Sequence, residues 1–142
     1  MKTLLACAAL LLTASVAIVA DDLDADANVA IVKQMFDAFN QHDWDKMASY
    51  YSDDASFLDP TLGAAEVKQS HADIVRKYSG LEKMAPDIFD DIKHIHAAGN
   101  TVIVEFVSSG SAPDGSKWTL PICTVLTLAD GKIVRDATYF DK

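Results

Sequence analysis

Hydrophobic positions follow a helical period in the first half of the chain and an alternating period in the second half. One buried helical stripe consists of Val29, Val32, Met35, Phe36 and Phe39. Asp26 or Asn28 can cap this helix at its start, and the polar residues 40–42 end the pattern. Asp43 can cap a second, short helix over residues 44–51. Two helices are therefore predicted before about residue 51.

The middle of the chain is expected to form a turn, a short strand, a loop and a third helix. Residues 52–54 are typical of a turn and residues 55–58 of a strand. Pro60 and Gly63 bound a loop, and a helix is expected over residues 64–78. Residues 79–86 are expected to break it. The apolar face of this helix carries His71, Ile74, Val75 and Tyr78.

Four later segments, residues 88–97, 101–108, 117–128 and 132–140, are predicted to be strands. Turn residues separate them, for example Gly99-Asn100 and Asp130-Gly131. Helices followed by an antiparallel meander indicate an α+β fold, with the helices packed on one face of a bent sheet. No repeat or linker divides residues 21–142, so one compact domain is predicted.

The first twenty residues have the order of a secretory signal peptide: Lys2, a leucine-alanine run, and small residues before an acidic start. Cleavage is expected after Ala17 or Ala20, and the mature protein is expected to be secreted or periplasmic. A permanent anchor is disfavoured because the run is barely long enough to span a bilayer. We expect no membrane association after cleavage.

The net charge and the cysteine content argue against nucleic-acid binding and against an internal disulfide. The net charge of −9 becomes −10 when Lys2 leaves with residues 1–20, which contain no acid. An acidic chain without a basic stripe repels phosphate backbones, so nucleic-acid binding is not expected. Cys7 also leaves, and Cys123 alone cannot form an internal disulfide. Within its apolar strand, Cys123 is interpreted as a small buried hydrophobe.

Asp59 is the first candidate for chemistry. It follows an apolar strand and precedes Pro60. We expect this carboxylate to face the pocket, with a pKa that is raised by desolvation, so that it can act as a general base. The alternative is that the Asp-Pro pair only starts the next turn.

The histidines and the last two strands offer further candidates. His94 and His96 share a strand face and could bind a metal with His71 or Asp59, but nothing completes the signature. No metal or other cofactor is therefore predicted. His71 is either a core histidine or a polar group that faces a pocket. Alternation places Trp118, Leu120, Ile122 and Thr124 on one face, and Asp136, Thr138 and Phe140 on one face of the last strand.

Three segments together resemble the SnoaL-like branch of the NTF2-like superfamily. They are NQHDWDKMASYYSDDASFLDP, the helix over residues 64–78, and LTLADGKIVRDATYFD near the end. The resemblance covers about residues 28–142. It implies a cone in which about three helices pack in a strongly curved antiparallel sheet around an apolar pocket. Members include polyketide cyclases, ketosteroid isomerases, dehydratases, epoxide hydrolases and plain binding or assembly modules, so the fold does not define the activity.

The resemblance also implies roles for individual residues. Asp59 matches the general base of the ketosteroid isomerase branch. That branch's oxyanion tyrosine falls at Met35, which cannot donate a hydrogen bond, and its protonated aspartate falls near Cys123 or Thr124. The His and Asp that SnoaL-like sequences often carry on the last strand fall at Asp136 and Thr138. Asp136 could pair with Asp59 as a two-carboxylate site, or it could lie at the surface beside Arg135.

The first functional hypothesis is an exported domain that binds a small apolar or amphipathic molecule in its pocket. The expected ligand contacts are Met35, Phe39, Asp59, His71, Trp118, Thr124, Asp136 and Thr138. One alternative is a lyase or isomerase with Asp59 as general base, and another is a protein–protein assembly module. A homodimer formed through the sheet is also expected, because strands such as TVIVEFV carry apolar residues on both faces.

Overall fold

The computed structural model describes residues 10–141, with side chains from residue 24 onward. Three helices form: α1 (Leu10–Asn40), α2 (Trp44–Ser49) and α3 (His71–Met84). The first helix does not begin at Asp26 or Asn28, because no glycine or proline interrupts the helix-forming residues before them. Residues 1–9 of the predicted signal peptide lie outside the described residues, so its cleavage stays a prediction. Among the described helices, none has the length and apolar character needed to span a membrane.

Six strands form one sheet in the order β2-β1-β6-β5-β4-β3. Their bounds are β1 (Tyr51–Leu58), β2 (Val67–Gln69), β3 (Phe89–Ala98), β4 (Thr101–Ser111), β5 (Lys117–Ala129) and β6 (Lys132–Tyr139). The α+β class and the four predicted C-terminal strands are confirmed. The sheet is mixed, since β1 pairs with β6 in parallel whereas every other pairing is antiparallel. This parallel pairing joins the helical half of the chain to the meander.

Three local predictions between residues 52 and 86 are wrong. Residues 52–54 belong to β1 instead of a turn. The third helix begins at His71 instead of residue 64, because Ser70 and Asp73 form a capping box. The Ser70 hydroxyl accepts from the Asp73 N–H, and the Asp73 carboxylate accepts from the Ser70 N–H. Residues 67–69 form β2, which pairs with β1. The helix continues through Ser79 and Gly80 to Met84.

The core lies between the helices and the concave face of the sheet. Helix α1 presents Val32, Met35, Phe36 and Phe39 to this core, and they are at most 5% exposed. Alternating residues of β4, namely Val102, Val104 and Phe106, face them from the sheet. Phe36 and Phe106 meet edge to face, with ring centroids 5.0 Å apart. The apolar stripe predicted for α1 is therefore confirmed, and it forms one wall of the cone.

Candidate functional site

A cavity of about 210 Å³ opens inside the cone. For comparison, an engineered apolar cavity of about 150 Å³ is large enough to bind benzene. Most of the lining is apolar and comes from α1, α3 and the concave sheet face. The polar side chains that also line the cavity are Tyr51, Asp59, Thr61, Lys77, Tyr78, Asp90, Ser108, Thr124, Asp136 and Thr138. The cavity is thus an apolar chamber with several polar groups directed into it.

Asp59 lies where β1 ends, and its carboxylate is fixed from two sides. One oxygen accepts hydrogen bonds from the backbone N–H and the hydroxyl of Thr61, both at 2.7 Å. The other oxygen forms an ion pair with the Lys77 ammonium. Its backbone carbonyl accepts from the Leu62 N–H at 2.8 Å, so the Asp-Pro pair does start a turn. The pocket-facing and the turn-forming interpretations of Asp59 both hold.

The predicted raised pKa of Asp59 is wrong. Burial by itself would raise the pKa of this carboxyl, but the Lys77 charge and the hydrogen bonds from Lys77 and Thr61 outweigh burial and lower it. The pKa of Lys77 is raised, because the nearby Tyr78 and Asp59 groups outweigh the desolvation that would lower it. Both groups are therefore charged at neutral pH, and Asp59 is a weak base.

A second polar cluster surrounds Asp136 on β6. One carboxylate oxygen accepts from the Tyr51 hydroxyl at 2.9 Å. The other accepts from the hydroxyls of Thr124 at 2.7 Å and Thr138 at 2.9 Å. Asp136 is 6% exposed, so it is not a surface residue beside Arg135. Burial and the Asp136 charge raise the pKa of Tyr51 well above its ordinary value, so the phenol stays protonated.

Asp90 on β3 is the third carboxylate of the cavity, and it differs from the other two. It is 8% exposed, and its Oδ1 has no hydrogen-bond partner among residues 24–141. Burial raises the pKa of Asp90 to about 6 from an ordinary value of 3.8, although the Ser108 hydroxyl acts in the opposite direction. Asp90 therefore combines a raised pKa with a carboxylate oxygen that no described side chain occupies.

Tyr78 supplies a second buried phenol. Burial raises the pKa of Tyr78 to about 12, despite the opposing effect of the Lys77 charge. Its ring stacks on Trp44, with centroids 5.9 Å apart, and the Lys77 ammonium lies 5.0 Å from its centroid. Tyr78 therefore remains a neutral hydroxyl in the cavity at physiological pH.

Seven of the eight predicted contacts line the cavity: Met35, Phe39, Asp59, Trp118, Thr124, Asp136 and Thr138. His71 does not. Its Nε2 lies 2.8 Å from the Tyr51 carbonyl oxygen, and its Nδ1 lies 3.8 Å from an Asp53 oxygen. The helix begins at His71, two turns before Tyr78, so the two residues are about 10 Å apart along the axis of α3. His71 has a structural role there.

Sequence reasoning did not assign Tyr51, Lys77 or Asp90 to the site. The inward position of Asp90 could have been predicted, because strand alternation puts Asp90 on the same face as the buried Ile88. Lys77 follows Ile74 by three residues and precedes Leu81 by four, so it falls within the apolar stripe of α3. Tyr51 was placed at the end of a helix, whereas it begins β1 and points inward.

The histidine pair on β3 is outside the cavity. A bulge between Ile92 and His94 shifts the alternation, and both His94 and His96 are exposed. Their rings stack with centroids 6.5 Å apart. Within the part of the chain that is described, no three His, Cys, Asp or Glu side chains are grouped so as to hold a metal ion.

A scan against protein families matches the SnoaL-like domain over residues 32–136. The chain belongs to this family. The match covers α1 from its buried stripe onward, the cavity, and the last strand as far as Asp136. No functionally curated protein matches the sequence.

Solved structures share the fold of this SnoaL-like domain. A protein with a ketosteroid isomerase-like fold from Catenulispora acidiphila, in complex with trimethylamine, has 19% identity and a TM-score of 0.70, covering 78% of this chain and 85% of its own. Bal32a, from a soil-derived mobile gene cassette, has 17% identity and a TM-score of 0.72, covering 82% and 91%. The epoxide hydrolase/cyclase-like enzyme SalBIII has 19% identity and a TM-score of 0.70, covering 80% and 90%. Identities this low establish the fold alone.

The cavity of this SnoaL-like domain contains a phenol that the sequence did not predict there. The resemblance implied an oxyanion tyrosine at Met35, and the Met35 sulfur lies 3.8 Å from the Tyr51 hydroxyl, which donates to Asp136. The phenol beside Met35 therefore belongs to Tyr51 on β1 and not to a tyrosine on α1. Thr124 and Asp136 also meet in one network. The cavity therefore contains more polar groups than an apolar pocket with a single carboxylate would.

Proposed function

We propose that the domain binds a small apolar or amphipathic molecule inside the cone. The observation that carries the proposal is the cavity of about 210 Å³, whose apolar lining surrounds a few buried polar groups. Pockets of this composition bury the body of a ligand and orient its polar end. Asp90 is the acceptor for that end, because its Oδ1 has no partner among residues 24–141, and the Tyr78 hydroxyl is a donor that lines the same cavity. We propose in addition that residues 1–20 act as a secretory signal, so that this binding takes place outside the cytoplasm.

Binding can be tested with small probes and a variant whose cavity is filled. Hexanol and cyclohexanone would be titrated into the protein while the Trp118 indole and the Met35 and Met47 methyl signals are followed by NMR. We expect these signals to shift with saturable binding in the wild type. Ile122→Trp should abolish the shifts, because the larger ring occupies the cavity.

The matched control places the same side chain outside the cone. Ile103 is 37% exposed on the opposite face of the sheet, so Ile103→Trp should leave probe binding unchanged. Native mass spectrometry of the protein from its own host should in addition detect a copurified small molecule. Saturable binding that persists in the folded Ile122→Trp variant would place the ligand elsewhere and refute the proposal.

A second candidate function is proton abstraction next to a carbonyl, as in a lyase or an isomerase. The observation that favours it is the buried Asp90 carboxylate, with a pKa of about 6 and an oxygen without a hydrogen-bond partner among residues 24–141. A general base works best with a pKa near the working pH. Asp59 is less suited to this role, because the Lys77 charge holds its proton affinity down.

Deuterium exchange would test this second candidate. Small ketones would be incubated in D₂O, and incorporation of deuterium next to the carbonyl would be followed by NMR. Catalysed incorporation that is lost in Asp90→Asn but retained in Asp59→Asn would support Asp90 as the base. Incorporation no faster than in buffer would leave binding as the function.

A further inference from the structure

The charges that line the cavity do not balance. Three carboxylates, Asp59, Asp90 and Asp136, and one ammonium, Lys77, are among the described lining residues. Lys77 is committed to the ion pair with Asp59. The Asp136 carboxylate accepts hydrogen bonds from three hydroxyls, so these bonds already compensate its burial without a cation. Asp90 alone faces the chamber without a partner for its Oδ1 within the described chain.

Asp90 is also held in a fixed place. It lies on the edge strand β3, where one side of the backbone has no neighbouring strand. The side-chain amide of Asn40, at the end of α1, takes the place of that strand. Its nitrogen donates to the Asp90 carbonyl at 2.9 Å, and its oxygen accepts from the Asp90 N–H at 2.8 Å. The backbone of Asp90 is thereby fixed at the edge of the sheet, so a ligand need not order the strand that carries the carboxylate.

Aromatic side chains flank the sheet position of Asp90. Asp90 is in register with Ser108, which is in register with Leu120. Two residues away along β4, in opposite directions, are Phe106 and Gly110, and Trp118 pairs with Gly110. The Trp118 ring lies over Gly110, since a Cβ there would be 2.9 Å from its Cζ2. Both Phe106 and Trp118 line the cavity.

We propose that the cone selects organic cations, namely small molecules with an apolar body and a protonated amine, and that the ammonium binds Asp90 between Phe106 and Trp118. This inference rests on the proposed binding function. A buried carboxylate gains most from a ligand that supplies both a hydrogen bond and the opposite charge. Aromatic rings attract an ammonium through their quadrupole, and the attraction is stronger when the cation is desolvated.

Other head groups suit this site less well. A ligand carboxylate would approach Asp90 and Asp136 with the same charge, and Lys77 is already paired with Asp59. A neutral hydroxyl can donate to Asp90 but brings no compensating charge. The excess of acidic groups around one apolar chamber therefore favours a cation over an alcohol, and an alcohol over an acid.

Three probes with the same six-carbon body separate these possibilities: hexylammonium, hexanol and hexanoate. Their affinities for the wild-type protein would be measured by calorimetry at pH 7.5 and constant ionic strength. We expect hexylammonium to bind about tenfold or more tightly than hexanol, the size of one cation–aromatic contact together with one charge-assisted hydrogen bond. Hexanoate should bind most weakly.

Asp90→Asn is the decisive variant, because it keeps the shape of the side chain and removes its charge. It should bring the affinity for hexylammonium down to that for hexanol. Asp91→Asn is the matched control, since Asp91 is an exposed neighbour on the same strand. That control should retain the preference of the wild type.

The outcomes distinguish this inference from the proposed function. Hexanol binding as tightly as hexylammonium to the wild type would overturn the cation preference and leave the binding function intact. A preference that survives in Asp90→Asn would likewise overturn the role of Asp90. If none of the three probes binds, both the inference and the proposed function fail.

Discussion

The Lys77 ammonium and the Asp59 carboxylate form an ion pair within the cone, with side chains 20% and 10% exposed. The pair joins the end of β1 to the middle of α3. It also decides the chemistry of both partners, because Asp59 is held ionised and Lys77 is held as a donor. The free base of the cavity is thereby Asp90, a residue on the opposite edge of the sheet.

Asp59→Asn is expected to destabilise the protein. The substitution leaves the Lys77 charge buried without its counter-ion, and breaking such a pair costs about 3–5 kcal/mol. The free energy of unfolding would be measured with urea at pH 7. The double variant Asp59→Asn/Lys77→Met should regain part of the loss, because no unpaired charge remains. A single variant as stable as the wild type would contradict the ion pair.

The pH dependence of that effect has a definite sign. Because the pKa of Asp59 is lower in the folded protein than the ordinary 3.8, its stabilising contribution is present above that value. The contribution is lost as the pH falls further, through the folded pKa. The stability difference between wild type and Asp59→Asn should therefore shrink in strong acid. Urea titrations at a series of pH values check this.

Asp90→Asn is expected to stabilise the protein above pH 6. The unfolded chain releases this proton near pH 3.8 and the folded chain near 6, so Asp90 lowers the wild-type stability as the pH rises between those values. Two pKa units correspond to about 3 kcal/mol at neutral pH. Thermal unfolding of both proteins across pH 4–7 gives the difference, and Asp91→Asn serves as the control. A constant difference across this range would contradict the prediction.

Tyr51→Phe is expected to cost about 1–3 kcal/mol of stability. The variant keeps the ring, which stacks on Phe57 with centroids 5.2 Å apart, and removes the hydroxyl that donates to Asp136. Chemical denaturation measures the loss. Tyr50→Phe is a matched control, because the Tyr50 hydroxyl contacts an exposed Gln34 at 3.3 Å and should contribute little.

A homodimer through the convex face of the sheet remains a prediction. Large apolar side chains are exposed on this molecule, among them Phe89 at 48% and Ile103 at 37%. Light scattering should give twice the protomer mass for the wild type. Ile103→Lys should shift it to the protomer mass while leaving the cone folded. A wild type that is monomeric at high micromolar concentration would refute the dimer.

Export likewise remains a prediction from residues 1–20. Intact-mass measurement of the protein from its native host should show a chain that begins between residues 18 and 21. Replacement of Leu11 and Leu12 by arginine should retain the protein inside the cell, since a charged apolar region is not recognised as a signal. A mature protein that begins with Met1 would disprove the cleavage.

The sequence predicted those elements in which local pattern and tertiary packing agree. In β4, for example, every second residue from Val102 to Phe106 is apolar and faces inward, and each hairpin turn between the four C-terminal strands contains glycine or asparagine. The apolar stripe of α1 could be predicted as well, because its residues recur at helical spacing and pack against the sheet. Residues 67–69 were missed as a strand because so short an edge is stabilised by its pairing with β1 and not by its own residues.

Within the site, the sequence by itself determined which residues share a helix or strand face, and the tertiary structure decided which of those faces line the cavity and what each side chain does there. Periodicity depends only on neighbours along the chain, so it put Thr124 in an apolar row of β5 and Asp136 and Thr138 on one face of β6. Only the folded structure showed that this face of β6 is buried. A pKa or an ion pair depends on groups that are distant in sequence. Lys77 is 18 residues from Asp59 and Tyr51 is 85 from Asp136, and only folding brings them together. Since desolvation and charge act across those contacts, the tertiary structure made Asp59 a paired anion and Asp90 the unpaired one.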